Sequence, residues 1–246
     1  MLEADDTRAL ALLADADSLA RRALQGSRSL IGNMIGIVAV QNNWLLAGDL
    51  IAARGWDRQR LLPLLEPLPA RALSPRNWIP YEAEFGRELF RDMATELQHC
   101  VISADSEASW PERQWCRMGL GVLPELGAQD SDARWLRHLA TLPAEGPASC
   151  ETLKAEPWSA PERIWPAWRN TAARWLIESI GGQFRGYAAR QADLELLLQT
   201  LRGQVLGQPL PATVQLSREA GALRMRACLA SIQPGDKLGA VRLPAL

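Results

Sequence analysis

The chain has 246 residues, of which 48% are hydrophobic, and its formal net charge is −1. This composition supplies enough apolar material for a sizeable core. The balance of charge excludes a global electrostatic field that would recruit nucleic acid or an anionic membrane. Only two histidines, His99 and His138, are present, which disfavours metal or acid–base chemistry that depends on imidazole.

A first helix is predicted to run through Gln25. Asp5, Asp6 and Thr7 provide side-chain oxygens that can cap its first turn, and Gly26 favours its end. Leucines recur along this stretch at roughly helical spacing, which indicates a side that packs against a core.

The most apolar run of the chain, Leu30–Ala53, predicts a second helix that begins after Ser29 and ends near Gly55. Polar residues interrupt the run too often for a helix in lipid, so a buried core helix is the preferred interpretation. A short turn joins it to the first helix, which indicates an antiparallel helical hairpin. The residues expected on its buried side are Ile31, Met34, Ile35, Val38, Leu45 and Leu46.

Prolines interrupt the helical pattern in the middle of the chain. They limit residues 57–66 to a short helix, before an amphipathic helix from Tyr81 to about His99. The region that follows is rich in small, polar and proline residues and predicts loops around two modest helices, at about 111–126 and 131–141. The residues expected to face inward from the amphipathic helix are Phe85, Leu89, Phe90, Met93 and Leu97.

The stretch NTAARWLIESIGGQFRGYAARQADLE contains two helix-like patterns, one on each side of Gly181-Gly182. Glycine disfavours a helix interior. The paired glycines therefore predict a break between a helix at about 160–180 and another at about 183–206. We interpret the stretch as a joint between two scaffold helices and not as a functional site.

The C-terminal region changes character, because apolar and polar residues alternate around Glu-Ala-Gly. This alternation predicts a β-hairpin at about 213–217 and 222–228, with AVRLP as a third short strand. The chain is predicted to be a single, mainly α-helical domain, a bundle-like set of helices with a small C-terminal β-hairpin. The helical body would cover about 5–206, and the hairpin tail about 207–246.

Four cysteines are present, and none forms a Cys-x-x-Cys pair, so a structural zinc site is disfavoured. Two disulfides in an oxidising compartment would use all four, in one of three connectivities. The preferred pairing joins Cys100 to Cys116 across a proline-containing loop. Four reduced, buried thiols are the alternative, because free cysteine packs as a small hydrophobe. The candidate disulfide residues are Cys100, Cys116, Cys150 and Cys228.

Ten tryptophans are candidate anchors for a partner or for the core. Trp165, Trp168 and Trp175 share one face of a predicted helix, an arrangement that is typical of core packing. Trp110 and Trp158 lie instead in predicted proline-rich loops, where an indole can anchor a protein partner. These two are the residues assigned to partner binding, although the commoner role of such an indole is to clamp its own loop.

A pair of carboxylates offers a catalytic alternative. Glu84 and Glu88 lie one turn apart on a predicted helix and could serve in glycoside hydrolysis if a cleft placed them suitably. Arg87 and Arg91 interleave them, which favours a solvated face held by salt bridges.

The sequence carries little other chemistry. His99 and Cys100 look like a base and a nucleophile, but neighbouring residues on a helix point about 100° apart. There is no GxSxG, HExxH, P-loop or EF-hand pattern. We therefore assign no catalytic residue, no metal ligand and no cofactor.

Three segments carry a resemblance to known proteins. Two of them are SLIGNMIGIVAV, which begins at Ser29, and GQPLPATVQLSREAGALRMR in the tail. In the third, the matching residues are Asn170, Tyr187, Arg190, Asp193 and Leu194.

These segments resemble a family of uncharacterised proteobacterial helical proteins that are membrane-anchored or periplasmic. The chain departs from the family pattern at Thr171-Ala172-Ala173, where the family has proline and glycine. The resemblance implies a periplasmic location and an inner-membrane anchor at the N-terminus of the full-length protein, which this chain lacks. It implies no enzymatic residue.

The favoured function is a periplasmic protein-binding module, specifically an inhibitor or immunity protein that neutralises a secreted antibacterial toxin. This prediction rests on the lack of a catalytic pattern, the loop-borne tryptophans, the candidate disulfides and the resemblance. The expected partner is another protein and not nucleic acid. The alternatives are a cell-wall hydrolase that uses Glu84 and Glu88, and a structural component of an envelope assembly.

Overall fold

The computed structural model describes residues 2–98, 139–155, 171–219, 222–232 and 240–246. In these residues the protein is mainly α-helical and ends in a small, three-stranded antiparallel sheet. The predicted fold class is therefore confirmed.

The chain forms two compact units. The first combines residues 1–78, 143–156 and 186–246, and it contains the sheet and the main apolar core. The second combines residues 79–142 and 157–185. The boundary between residues 185 and 186 falls inside the longest described helix.

Two long helices open the chain, α1 (Leu2–Gly26) and α2 (Leu30–Arg54). The Ser29 hydroxyl caps α2 by accepting a hydrogen bond from the backbone N–H of Gly32 at 3.1 Å. Gly55 ends α2 in the left-handed conformation, with φ of 63°, which glycine adopts without steric cost. The predicted ends of α2 are confirmed, whereas α1 begins before its predicted caps.

The packing of α2 depends on glycine at two points. A Cβ atom at Gly36 would lie 2.9 Å from the Cβ and 3.0 Å from the Cα of Leu24 on α1. A Cβ atom at Gly48 would lie 2.6 Å from the Cγ of Pro244, near the C-terminus. Non-bonded carbon atoms do not approach this closely, so both contacts require a residue without a side chain.

The predicted buried side of α2 is wrong for four of its six residues. The other two, Met34 and Leu45, are half-buried and pack against the core. Those four are exposed: Ile31 (74%), Ile35 (63%), Val38 (43%) and Leu46 (56%). Both sides of α2 are apolar, so hydrophobic periodicity cannot choose between them. The opposite side, where two glycines and an alanine lie among large apolar residues, is buried instead, and it consists of Asn33, Gly36, Ile37, Val40, Trp44, Ala47, Gly48 and Ile51.

Arg21 on α1 holds the segment that follows α2. Its guanidinium donates to the carbonyl oxygens of Leu64 at 2.6 Å and Glu66 at 2.9 Å, and it lies 5.5 Å from the centre of the Trp44 ring. It also pairs with the Asp17 carboxylate at 2.5 Å. Burial raises the pKa of Asp17, and the neighbouring Arg21 opposes that rise. The Arg21 guanidinium therefore connects α1 and α2 to the segment that follows α2.

Short 3-10 helices and a third long helix follow. The 3-10 turn at Arg58–Leu61 confirms that residues 57–66 hold no more than a short helix. Helix α3 spans Ile79–Gln98, close to its predicted range. Phe85, which was expected to face inward from α3, is 59% exposed, so that assignment is wrong. The side chains of the other four residues expected inside α3 lie outside the described residues.

A short helix, α4 (Cys150–Ala155), lies in a region that was predicted to be loop. The predicted helix at 111–126 lies outside the described residues. Of the one predicted at 131–141, only residues 139–141 are described, and they are helical.

The paired glycines do not break the chain. Helix α5 runs without interruption from Thr171 to Leu206 and includes Gly181 and Gly182, so the predicted joint is wrong. Two glycines in a helix interior cost about 2 kcal/mol in propensity, and the packing of the residues that follow outweighs this cost. The buried apolar residues of that later half are Ala188, Ala189, Ala192, Leu194, Leu197, Leu198, Leu201 and Val205.

Buried amides join α2 to α5. The indole N–H of Trp78 donates to Gln191 Oε1 at 3.3 Å, and Gln191 Nε2 donates to Asn33 Oδ1 at 3.0 Å. Gln191 and Asn33 are both almost completely buried. Buried polar groups need hydrogen-bond partners, so these bonds restrict how α5 can rotate against α2.

The C-terminal sheet has the strand order β1 (Gln215–Glu219), β2 (Ala222–Arg226), β3 (Ala240–Arg242), and both pairs are antiparallel. Met225 lies between Leu216 on β1 and Val241 on β3. Met225 belongs to the main core, and Val241 packs against it. The predicted hairpin and third strand are confirmed, with strand ends displaced by about two residues.

Substitution of Gly36 by alanine tests the close approach of α1 and α2. The added methyl group would meet Leu24, so we expect the free energy of unfolding to fall by about 1–2 kcal/mol, net of alanine's better helix propensity. The matched control is Gly26→Ala at the end of α1, where a Cβ atom meets nothing within 4 Å and stability should hold. Urea denaturation measures both variants, and equal effects would contradict the packing argument.

Candidate functional site

The predicted catalytic carboxylates lie on open surface. Glu84 and Glu88 are exposed on α3, and Glu84 accepts a hydrogen bond from Arg87 at 3.1 Å. Exposed carboxylates paired with arginine are ordinary features of a solvated helix. Trp110 and Trp158, the predicted partner anchors, lie outside the described residues. So do His99 and His138.

A disulfide joins distant parts of the first unit. Cys150 on α4 is bonded to Cys228, the first residue of a short helix, α6 (Cys228–Ile232). Their Cα atoms lie 5.3 Å apart, although the two residues are 78 positions apart in the chain. Of the three connectivities of four cysteines, the one that contains this bond pairs Cys100 with Cys116. Both of those cysteines lie outside the described residues.

Removal of this disulfide should weaken the fold. Serine at both Cys150 and Cys228 is expected to lower the free energy of unfolding by about 4 kcal/mol, because the bond closes a long loop in the unfolded chain. Urea denaturation of the double variant and of the oxidised wild-type protein measures the difference. A double variant as stable as the wild type would show that the bond contributes nothing.

Asp193 on α5 caps the helix that carries Cys228. Its carboxylate accepts hydrogen bonds from the backbone N–H groups of Cys228 at 2.6 Å and Leu229 at 3.1 Å, which satisfies donors that lack helical partners. Burial raises the pKa of Asp193 to about 6, and the two hydrogen bonds and Arg190 act in the opposite direction. In the sequence, Asp193 stood out as part of the family resemblance.

The raised pKa of Asp193 makes stability depend on pH. The carboxyl binds its proton more tightly in the folded chain, so its contribution is complete below about pH 4 and is lost as pH rises through about 6. The expected loss is about 3 kcal/mol. In Asp193→Asn, which keeps an acceptor for the cap but does not titrate, stability should not fall across this range. Identical pH profiles of unfolding for the two proteins would exclude Asp193 as the cause.

Two cavities of the first unit are formed by described residues. One of about 420 Å³ lies beside the disulfide and is lined in part by Glu151, Lys154 and Arg226. Another, of about 600 Å³, lies near the C-terminus and is lined in part by Arg218 and Arg242. Their charged side chains are exposed or paired at the surface, and a buried acid–base pair that would indicate catalysis is not among the described lining residues.

The most distinctive described surface is the side of α2 that faces away from the core. We define the outer face of α2 as Ile31, Ile35, Val38, Asn42 and Leu46, all of which are exposed. No charged residue occurs from Ile31 to Leu46. Among the described helices, α2 is also the one whose length and composition would allow it to span a membrane, and 33% of its most apolar stretch is buried.

The positions of small residues in the sequence indicate this face, although hydrophobic periodicity does not. Gly36, Ala47 and Gly48 lie on the buried side of α2, opposite the exposed Ile31, Ile35, Val38 and Leu46. Small residues permit close approach of backbones, so their positions identify the buried side better than the positions of leucine and isoleucine do.

Comparisons with protein-family models, with curated proteins and with solved structures found no match. The family resemblance of the sequence therefore stays a prediction. Among the described residues, no group of three or more histidine, cysteine, aspartate or glutamate side chains is arranged to hold a metal ion.

Proposed function

We propose that this protein is a protein-binding module of the cell envelope and that it binds through the outer face of α2. The observation that carries the proposal is the row of four large apolar side chains, Ile31, Ile35, Val38 and Leu46, exposed on one side of one helix. Contiguous exposed apolar surface is limited in monomeric soluble proteins and commonly marks an interaction site. A helix with an apolar face is a frequent element of protein recognition.

The rigidity of α2 supports binding through this face. On the opposite side of the helix, Trp44 is completely buried and Gly36 is in close contact with α1. The outer face is therefore held in place before a partner arrives. Such preorganisation reduces the conformational entropy that is lost on association.

The disulfide supports placement in the envelope. A bond between Cys150 and Cys228 persists in oxidising compartments such as the bacterial periplasm and is rare in a reducing cytosol. The most specific form of the proposal is an inhibitor or immunity protein that neutralises a secreted antibacterial toxin. Such an inhibitor needs a preformed surface and no catalytic group.

The hydrolase alternative has less support. Glu84 and Glu88 are exposed, and neither lines the two cavities described above. Glycoside hydrolysis needs two carboxyl groups that face each other across a bound sugar. An open helix surface does not supply that arrangement.

An affinity capture from envelope extract tests the proposal. We expect the wild-type protein to retain one secreted protein in stoichiometric amount, and Ile35→Glu combined with Val38→Glu to lose at least about nine-tenths of it, because two charges would be buried in the contact. The matched control is Leu12→Glu, a similar change at a residue of α1 that is 60% exposed. Quantitative mass spectrometry of the retained fractions measures the result.

Neutralisation of the retained protein tests the toxin assignment separately. Co-expression of this protein should restore growth to cells that produce the retained partner in their periplasm. Equal capture by the wild type and the α2 double variant would contradict binding through the outer face. Capture of a partner without rescue would leave a binding module that is not a toxin inhibitor.

A further inference from the structure

The geometry of the outer face points to a particular occupant, and we infer that it pairs with the same face of a second copy of this chain, with the two α2 helices parallel. The inference rests on the proposed function, because it names the partner that this surface binds. A target that uses the same face must then compete with the second copy.

The spacing of the residues on this side of α2 is that of a coiled coil. Ile31, Ile35, Val38 and Asn42 follow one another at intervals of four, three and four residues. This alternation places side chains along one seam, where each inserts between residues of a facing helix. The outer face from Ile31 to Leu46 covers 16 residues, or about 24 Å of helix.

Asn42 indicates which kind of residue the facing helix must place opposite it. It is the one polar residue among the five of the outer face. An apolar partner or a lipid chain would bury its amide without hydrogen bonds, which is unfavourable. A second Asn42 would satisfy it, because a carboxamide both donates and accepts. An asparagine in this position of a parallel pair also determines the register of the two helices.

The charges are compatible with self-pairing. Asp49 lies seven residues after Asn42 and so continues the same side of α2. Its two carboxylate oxygens accept hydrogen bonds from Arg242 at 3.0 Å and 3.3 Å. In each copy, the Arg242 guanidinium therefore already offsets the negative charge of Asp49. Repulsion between the two Asp49 carboxylates of a pair is correspondingly weak. An antiparallel pair centred on Asn42 would instead set apolar Ile35 against Asp49, so the parallel arrangement is favoured.

Sedimentation equilibrium of the intact, oxidised protein tests self-pairing. We expect a reversible dimer with a dissociation constant of micromolar order. In Asn42→Asp, two like charges would meet at the seam, and the constant should rise at least about tenfold. The matched control is Asn43→Asp, the same change one residue away and off the seam, which should leave the constant unchanged. A monomer at all concentrations up to about 200 µM would overturn the inference.

Cysteine cross-linking tests the direction of the helices. Under mild oxidation, Ile35→Cys and Asn42→Cys should each form a covalent dimer on a non-reducing gel, since each position meets itself in a parallel pair. Leu12→Cys on α1 is the control and should remain monomeric. Cross-linking at position 42 without cross-linking at position 35 would exclude the parallel arrangement.

Failure of this inference is distinguishable from failure of the proposed function. The wild-type protein could be a monomer and still capture a partner that the Ile35→Glu/Val38→Glu variant loses. That result would refute self-pairing and retain the binding module. A dimer that dissociates with Asn42→Asp, but captures no partner, would retain self-pairing and refute the module. A monomer that co-sediments with phosphatidylglycerol vesicles, and is released by Ile35→Glu, would assign the face to a membrane and refute the pairing.

Discussion

Small residues on one side of α2 determine which side of this helix is buried. Gly36 and Gly48 let the helix approach Leu24 of α1 and Pro244 of the C-terminal segment at distances that exclude any side chain. Ile31, Ile35, Val38 and Leu46 are consequently turned away from the core. The surface assigned to partner binding is therefore the direct result of how the hairpin packs, and not an isolated feature of the surface.

Buried and half-buried polar contacts make this packing specific. Arg21 satisfies its guanidinium with backbone carbonyls and the Asp17 carboxylate, and it is stacked near the ring of Trp44. Gln191 and Asn33 form a second such contact, between α5 and α2. Apolar surfaces alone would tolerate several rotations of α2, whereas a rotation that broke these hydrogen bonds would leave further buried polar groups unpaired, which is unfavourable. The same contacts therefore hold the outer face in its orientation.

The disulfide and the Asp193 cap act on the same short helix. A helix as short as α6 is unstable alone because its nucleation is unfavourable. The covalent bond from Cys228 to Cys150 and the two hydrogen bonds that the Asp193 carboxylate accepts supply the stabilisation that its length does not. The disulfide depends on the redox state of the compartment, whereas the Asp193 cap depends on pH.

The sequence by itself determined the helical class, the ends of α2 and the C-terminal hairpin, because caps, breakers and alternation are local signals. It also limited the cysteines to three pairings. Tertiary structure decided the rest. Gly181-Gly182 predicted a break, but packing of the later half of α5 outweighs a propensity cost of about 2 kcal/mol. On α2, both sides are apolar, so only the fit of Gly36 and Gly48 against neighbouring segments could select the buried one. Which helix faces pack together depends on the shapes of their side chains, and hydrophobic periodicity carries no information about those shapes.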